Sequence, residues 1–319
     1  MRRRIKEETI LFMSVVKWLF LATIVGILVG LSTTFFLKLL NWSTGIGTQY
    51  KYYYFLMPSF IAGIVSYHVS SALGITYFHQ PIKLTPVFSE WFFLKVVLSG
   101  VFFGLCSVFL IEMLRGFTKL SQRIRIWEPL KGIIGGSFLI VLTIIFSRQY
   151  LGLGLDAIQS SLDGTKTVWY AFILKTVFTS TTLSFGGSGG IVTPIFFIGS
   201  SAGILFASVF GLNVATFAAI GMVSVLAGAA NTPIAASIMA TELFGTGIAP
   251  YATIACIVSF LITGHRSVYP SQILSMRKSE SINVDTGKEM QDIFAEAKPR
   301  GRSLTGVILK IIKIIRDSK

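Results

Sequence analysis

The stretch Thr181–Phe206, TTLSFGGSGGIVTPIFFIGSSAGILF, places a glycine-rich break directly before an apolar segment of helical length. The break runs from Gly186 to Gly190, and its small side chains leave backbone N–H groups accessible. Pro194 fits the first turn of the following helix, where no intrahelical donor is lost. Unpaired N–H groups and the positive end of the helix dipole attract anions at such a terminus. The pattern predicts an anion site, or alternatively a close-packing glycine hinge without a ligand.

The composition indicates a membrane protein. Of the 319 residues, 53% are hydrophobic and only 13% are charged, which is not typical of a water-soluble domain. The 30 glycines suit close packing between membrane helices. We therefore predict an all-α, polytopic membrane fold. Its clearest membrane segments, each approaching the roughly 20 residues that span a bilayer, are Leu19–Leu40, Lys95–Leu114, Gly132–Ser147 and Thr167–Leu183.

The net charge of +14 does not indicate a nucleic-acid partner, because the basic residues flank apolar segments. Basic residues collect on the cytoplasmic side of membrane helices, so the basic run at Arg2–Lys6 predicts a cytoplasmic amino terminus. Near the other end, Leu304–Lys319 is a basic amphipathic stretch. It suits a tail lying on anionic lipid, or a helix that packs against a partner.

Two helical hairpins resemble each other in sequence. Gly26 and Gly30 lie in IVGILVGL, and Gly100 and Gly104 lie in LSGVFFGL at the same spacing. A proline, and then a second segment entered through glycine, follows each of these helices. Related halves are common in transporters, so the pattern favours an internal repeat. The alternative is that any two membrane hairpins share glycines and prolines.

The loops of the two hairpins differ in charge. The loop at 115–131 is strongly basic and is predicted to be cytoplasmic, whereas Asn41–Met57 contains Lys51 alone and is predicted to face outward. The two copies would then be inverted. This arrangement requires one more crossing between the hairpins, yet Ile75–Phe93 contains two prolines and is a poor helix.

The motif FGGSGGIVTP resembles the GSGGIFAP-type motif of the chloride channel/transporter (CLC) family. In that family the backbone amides after the glycine pair coordinate a central anion. The resemblance implies that Ile191 and Val192 coordinate the anion after Gly189 and Gly190, with Val192 in place of the usual phenylalanine. It also implies chloride, or another small anion, as the transported ligand, and no cofactor.

Two later motifs extend the resemblance. Residues Gly221–Gly245 are similar to the family's GMAAxxAGxxRAPLTAxxxxxELTG pattern, except that Asn231 replaces the common arginine. Glu242 is a candidate buried acid, or else a helix-end residue with local hydrogen bonds. GHRSVYPSQ, Gly264–Gln272, resembles the start of the family's final membrane helix, where a tyrosine hydroxyl donates to the anion. Tyr269 matches that tyrosine; without the resemblance, it would be an interfacial residue.

The family's GSGIP-like and GKEGP-like loops are not found between Gly74 and Lys95. These loops carry the first anion-binding residues and the gating glutamate of the family. The resemblance therefore implies a CLC-type chloride or anion channel or transporter with a shortened first repeat, whose competence to transport is open. The alternative is a transport-inactive membrane scaffold or binding subunit, and a fluoride-selective relative is a third possibility.

The predicted organisation has four parts. They are a basic cytoplasmic amino terminus (1–18), a shortened first repeat (19–93), a second CLC-like repeat with the anion-site motifs (94–276) and a basic cytoplasmic tail (277–319). The resemblance implies broken and re-entrant helices, a homodimer in a bilayer, and location in a bacterial inner membrane. An enzyme is not predicted, because the chain contains no convincing zinc, nucleophile-elbow, phosphate-loop or dinucleotide motif.

Overall fold

The computed structural model describes residues 89–165 and 167–274 continuously, with isolated positions before and after them. The isolated positions are 20, 24, 27, 31, 35, 38, 65, 68, 69, 72, 278, 282–283, 287–290 and 298–299. The predictions for residues 1–18, for the missing crossing at 75–88 and for the tail at 304–319 lie outside the described residues.

The chain divides into two compact units, Met1–Tyr77 and Phe78–Lys319. In the first unit the described residues are helical and exposed, and Phe20, Ile24 and Ile27 recur at helical spacing. The second unit contains the motifs on which the anion-site prediction depends. The finer domain boundaries given above stay predictions.

The prediction of an all-α fold is confirmed in the described part of the second unit. The helices are α1 (Glu90–Arg123), α2 (Glu128–Ile145), α3 (Leu155–Leu162), α4 (Ala171–Ser184), α5 (Val192–Phe210), α6 (Val214–Ala229), α7 (Pro233–Phe244) and α8 (Ala249–Thr263). A 3₁₀ turn, Arg148–Tyr150, follows α2. The two-residue strands β1 (Ile282–Asn283) and β2 (Lys298–Pro299) pair antiparallel.

Helix α1 is longer than the apolar run that predicted it. Its 34 residues extend about 51 Å at the usual helical rise, well beyond the hydrocarbon thickness. Arg115, Lys119 and Arg123 therefore lie on the helix, and the prediction that they belong to a loop was wrong. Arginine and lysine are good helix formers, and Arg123 in the last turn also suits the negative end of the helix dipole.

Among the described helices, α1, α2 and α5 are long and apolar enough to cross a membrane. Helices α6, α7 and α8 are apolar but shorter. Helix α2 begins at Glu128 with Pro129 in its first turn, so Pro129 and Lys131 belong to the helix and not to the predicted loop. Only 6% of α2's apolar window is buried in the protein, so most of its apolar surface is available to lipid.

Helices α5 and α6 pack backbone to backbone. A Cβ atom at Gly199 would overlap the Gly221 carbonyl oxygen, and one at Gly203 would lie 2.8 Å from the Cα of Ala218. Such an approach gains dispersion energy that lipid cannot supply. Helix α6 lies at the centre of the second unit, since its residues from Phe217 to Val225 are all buried.

The predicted glycine pair on α1 contacts α8. A Cβ atom at Gly100 would lie 2.8 Å from the Cβ of Val258, and one at Gly104 would lie 2.7 Å from the Cβ of Ile262. Close packing is thus the structural role of the LSGVFFGL motif in this helix.

Buried hydroxyl groups join α1, α6 and α8 around Gly228. Ser107 Oγ donates to the carbonyl of Val225 at 3.1 Å, and Ser259 Oγ donates to the carbonyl of Ser224 at 2.7 Å. A Cβ atom at Gly228 would lie 2.6 Å from the hydroxyl oxygens of Ser107 and Thr263. Hydrogen bonds between helices stabilise membrane bundles, so these contacts hold the three helices in register.

We expect the substitution Gly104→Val to destabilise the α1–α8 contact, because its side chain would overlap Ile262. Overpacking of this kind costs about 1–3 kcal/mol. Thermal unfolding of purified protein in detergent, followed by tryptophan fluorescence, measures the effect. Gly116→Val is the matched control on the same helix, because a Cβ atom at Gly116 would meet no other part of the protein within 4 Å beyond its own turn of helix. Equal melting temperatures for both variants would contradict this account of the packing.

Candidate anion-binding site

The glycine-rich break is a turn between α4 and α5. Two hydrogen bonds cap the carboxyl end of α4. The amide of Phe185 donates to the carbonyl of Thr181 at 3.1 Å, and the amide of Gly187 donates to the carbonyl of Thr182 at 2.8 Å. Gly186 has a φ of +93°, a value that side-chain-bearing residues rarely adopt. The glycines thus allow the chain to reverse sharply before α5.

Helix α5 begins at Val192, with Ile191 as its N-cap. The Ile195 amide makes an early helical bond to the carbonyl of Ile191 at 3.1 Å. Within the described part of the chain, the amides of Ile191 and Val192 donate to no other residue. Pro194 lies in the first turn, as predicted. The start of α5 therefore presents backbone donors and the positive end of a helix dipole.

A cleft of about 170 Å³ lies beside this helix start. Gly189 and Gly190 line it, while Ile191 and Val192 follow directly in the chain but are not in its lining. Polar groups contribute from α4, from the loop after the 3₁₀ turn and from the glycine-rich break. The lining residues are Tyr150, Leu151, Gly152, Leu153, Lys175, Phe178, Thr179, Thr182, Leu183, Ser188, Gly189, Gly190 and Pro194.

Lys175 is the cleft residue that the sequence analysis missed. It is 1% exposed, and its Nζ donates to the carbonyl of Gly152 at 2.6 Å and to the carbonyl of Tyr150 at 3.1 Å. The ammonium also lies 5.1 Å from the ring centroid of Phe197. A lysine within the apolar run AFILKTVF was the signal that could have identified it, because an ionisable group in a membrane segment is costly and often functional.

Tyr269 lies elsewhere, in the segment after α8. The amide of Val268 donates to the carbonyl of Ala229 at 2.8 Å, which ties this segment to the carboxyl end of α6. The amide of Tyr269 donates to Ser267 Oγ at 3.1 Å, and its side chain is 39% exposed. Tyr269 does not line the cleft, and its hydroxyl contact with an anion stays a prediction.

The segment that carries Tyr269 is also held by His265 and Lys278. His265 Nε2 accepts from the amide of Lys278 at 3.1 Å, and Lys278 Nζ donates to the carbonyl of Phe260 at 2.9 Å. Burial lowers the pKa of Lys278 to about 7. The pKa of His265 is also lowered, mainly by burial and to a smaller extent by the nearby charge of Lys278. A neutral imidazole is thus favoured, as its acceptor role requires.

Of the two interpretations of Glu242, the buried acid is excluded, because the side chain is exposed near the end of α7. Helical spacing explains this exposure. Ile234, Ile238 and Glu242 recur every four residues on one face of α7, and that face points away from the protein core. Pro233 is the first residue of α7, and Asn231, two residues earlier, has a φ of +61°.

Comparison with known proteins identifies relatives for most of this chain. The model of the family described as "Voltage gated chloride channel" matches residues 49–264. A chloride/fluoride channel protein of Pseudomonas syringae pv. tomato is 34% identical over 264 residues, which is 79% of this chain and 58% of that protein. The voltage-gated ClC-type chloride channel ClcB of Shigella flexneri is 26% identical, and the match covers 67% of this chain and 54% of that protein.

The crystal structure of a CLC-type fluoride/proton antiporter superposes with a TM-score of 0.65 at 31% identity. The match covers 67% of this chain and 55% of that chain. This chain thus spans a little over half the length of the relatives that it matches. The family match and the shared helical fold agree with the motifs at the start of α5. The chain is a membrane protein and belongs to the voltage-gated chloride channel (CLC) family.

Proposed function

We propose that this chain binds a small halide at the start of α5 and takes part in its passage across the membrane as a CLC-type channel or transporter. The observation that carries the proposal is the helix terminus at Ile191 and Val192, whose amides have no partner in the described chain. Backbone donors and a helix dipole can replace part of the hydration of an anion without a full positive charge.

The candidate ligands are chloride and fluoride. Relatives of this chain are described as a chloride/fluoride channel protein and a fluoride/proton antiporter, so both anions belong in the proposal. The proposed site consists of Gly189, Gly190, Ile191 and Val192, with the hydroxyl of Tyr269 as a further donor. No enzymatic step and no cofactor enter the proposal.

Orientation and assembly are proposals as well. A basic amino terminus and a basic tail support cytoplasmic termini in a bacterial inner membrane. Family membership supports a homodimer in which each chain carries one anion site. Lipid covers the apolar outer surface of α2 in this arrangement.

A transport-inactive scaffold or binding subunit is the second candidate function. It is favoured by the region between Gly74 and Lys95, which contains neither the GSGIP-like nor the GKEGP-like loop. A subunit of this kind would keep the fold of the second repeat and bind a complementary membrane protein. Cross-linking in native membranes would capture that protein, and the isolated chain would give no flux.

Replacing the Val192 amide by an ester tests the proposed ligand group directly. Incorporation of the α-hydroxy analogue of valine removes one N–H donor and leaves the side chain unchanged. We expect halide affinity to fall about tenfold, the effect of losing one hydrogen bond to a charged group. Isothermal titration of the purified chain with chloride and with fluoride measures the affinity.

Val214 provides the matched control for the ester, because it is also a valine at the first position of a helix, α6. The ester at Val214 should leave halide affinity unchanged. Equal affinities for the wild type and both ester variants would exclude the amide site at α5.

Reconstitution into liposomes tests transport itself. Vesicles loaded with chloride or fluoride should release the anion when this chain is present, and vesicles loaded with gluconate, a much larger anion, should not. A full-length CLC relative reconstituted in parallel serves as the positive control. Halide binding without any efflux would reject transport by this chain alone and favour the scaffold.

A further inference from the structure

One face of α4 carries polar side chains into the cleft. Lys175, Thr179 and Thr182 recur at helical spacings of four and three residues, and all three line the cleft together with Ser188 of the glycine-rich break. Polar residues in a membrane helix point towards the interior or a water-filled cavity and often mark an ion pathway.

The charge of Lys175 has no carboxylate partner in the described part of the chain. The ion pairs found there join Glu112 to Arg115 and Arg266, and Glu128 to Lys131. Burying a cation without a counter-ion is costly, and carbonyl dipoles offset only part of that cost. An ammonium has three N–H groups, so its bonds to Tyr150 and Gly152 leave one donor unused. An anion in the cleft would supply the missing negative charge.

Thr179 is a second, independent indication of a ligand. It is only 6% exposed, and its hydroxyl makes no hydrogen bond to any other described residue. The neighbouring hydroxyls of Thr176 and Thr182 each donate to the carbonyl four residues earlier, at 2.8 Å. Thr179 lines the cleft, so its hydroxyl is free to donate to a ligand there.

We propose that Lys175 and Thr179 form an anion subsite in this cleft, in addition to the amide site at the start of α5. The proposal rests on the proposed function and assigns two side chains to the path of the halide. Lys175 supplies a fixed positive charge, and Thr179 donates a hydroxyl hydrogen bond. A volume of about 170 Å³ holds a halide with several waters, since one water occupies about 30 Å³. The subsite therefore binds a partly hydrated anion.

A purely structural role for Lys175 makes a different prediction. In that case the ammonium serves only to hold the turn at Tyr150–Gly152 against α4, and Thr179 has no part in binding. A substitution at Thr179 distinguishes the two interpretations, because removing its hydroxyl leaves both hydrogen bonds from Lys175 to carbonyl groups intact.

The test is halide titration of the purified full chain with Thr179→Val and with Thr176→Val. Both substitutions remove a buried threonine hydroxyl from α4, but Thr176 does not line the cleft. We expect Thr179→Val to weaken chloride or fluoride binding about tenfold and Thr176→Val to leave it unchanged. Lys175→Met should weaken binding further, and Lys175→Arg should restore part of it because the positive charge returns. Size-exclusion profiles and melting temperatures establish that each variant is folded.

Wild-type halide affinity in folded Thr179→Val overturns the subsite, whatever Lys175→Met does to folding. If the ester at Val192 weakens halide binding and Thr179→Val does not, the amide site is supported and the subsite is rejected. Weakened binding in Thr179→Val without efflux from liposomes supports the subsite and rejects transport. Absence of halide binding by the wild-type chain rejects both proposals.

Discussion

Unpaired backbone amides at the start of α5 are the constraint on which the rest of the arrangement depends. In a membrane interior, no bulk water is available to satisfy such groups, so the fold must provide a polar cavity or a ligand. The cleft lined by Gly189 and Gly190 lies beside this helix start. The glycines of the break serve the turn before this helix, because Gly186 has a positive φ and a Cβ atom at Gly187 would lie 2.6 Å from the carbonyl oxygen of Thr182.

A donor group is useful for anion binding only if it is held in place. Helix α5 is fixed along its length by backbone contact with α6 at Gly199 and Gly203, and α6 is in turn held by hydroxyl bonds from Ser107 and Ser259. These contacts leave little freedom to move the start of α5 towards or away from the cleft. Preorganised donors need no costly rearrangement when an anion arrives.

A local sequence pattern predicted the helix start at Pro194, because proline is favoured in the first turn of a helix. Other features depend on contacts that a sequence pattern does not contain. The exposure of Glu242 follows from which face of α7 contacts the core. The partners of Lys175 are carbonyl groups about 25 residues earlier in the chain, at Tyr150 and Gly152. The apolar run around Lys175 predicts a helix, but it does not indicate which carbonyl groups accept hydrogen bonds from the ammonium.

The acceptors of Lys175 determine the polarity that the cleft offers to a ligand. The carbonyl oxygens of Tyr150 and Gly152 would attract a cation if they were free, but both accept from the ammonium. The Thr182 hydroxyl already donates to a carbonyl, whereas the hydroxyl of Thr179 can donate to a ligand. Lys175 therefore neutralises the acceptors on one wall of the cleft and contributes a positive charge. With the amides of α5 nearby, the groups left for a ligand are mainly donors, and an ion stabilised by donors is an anion.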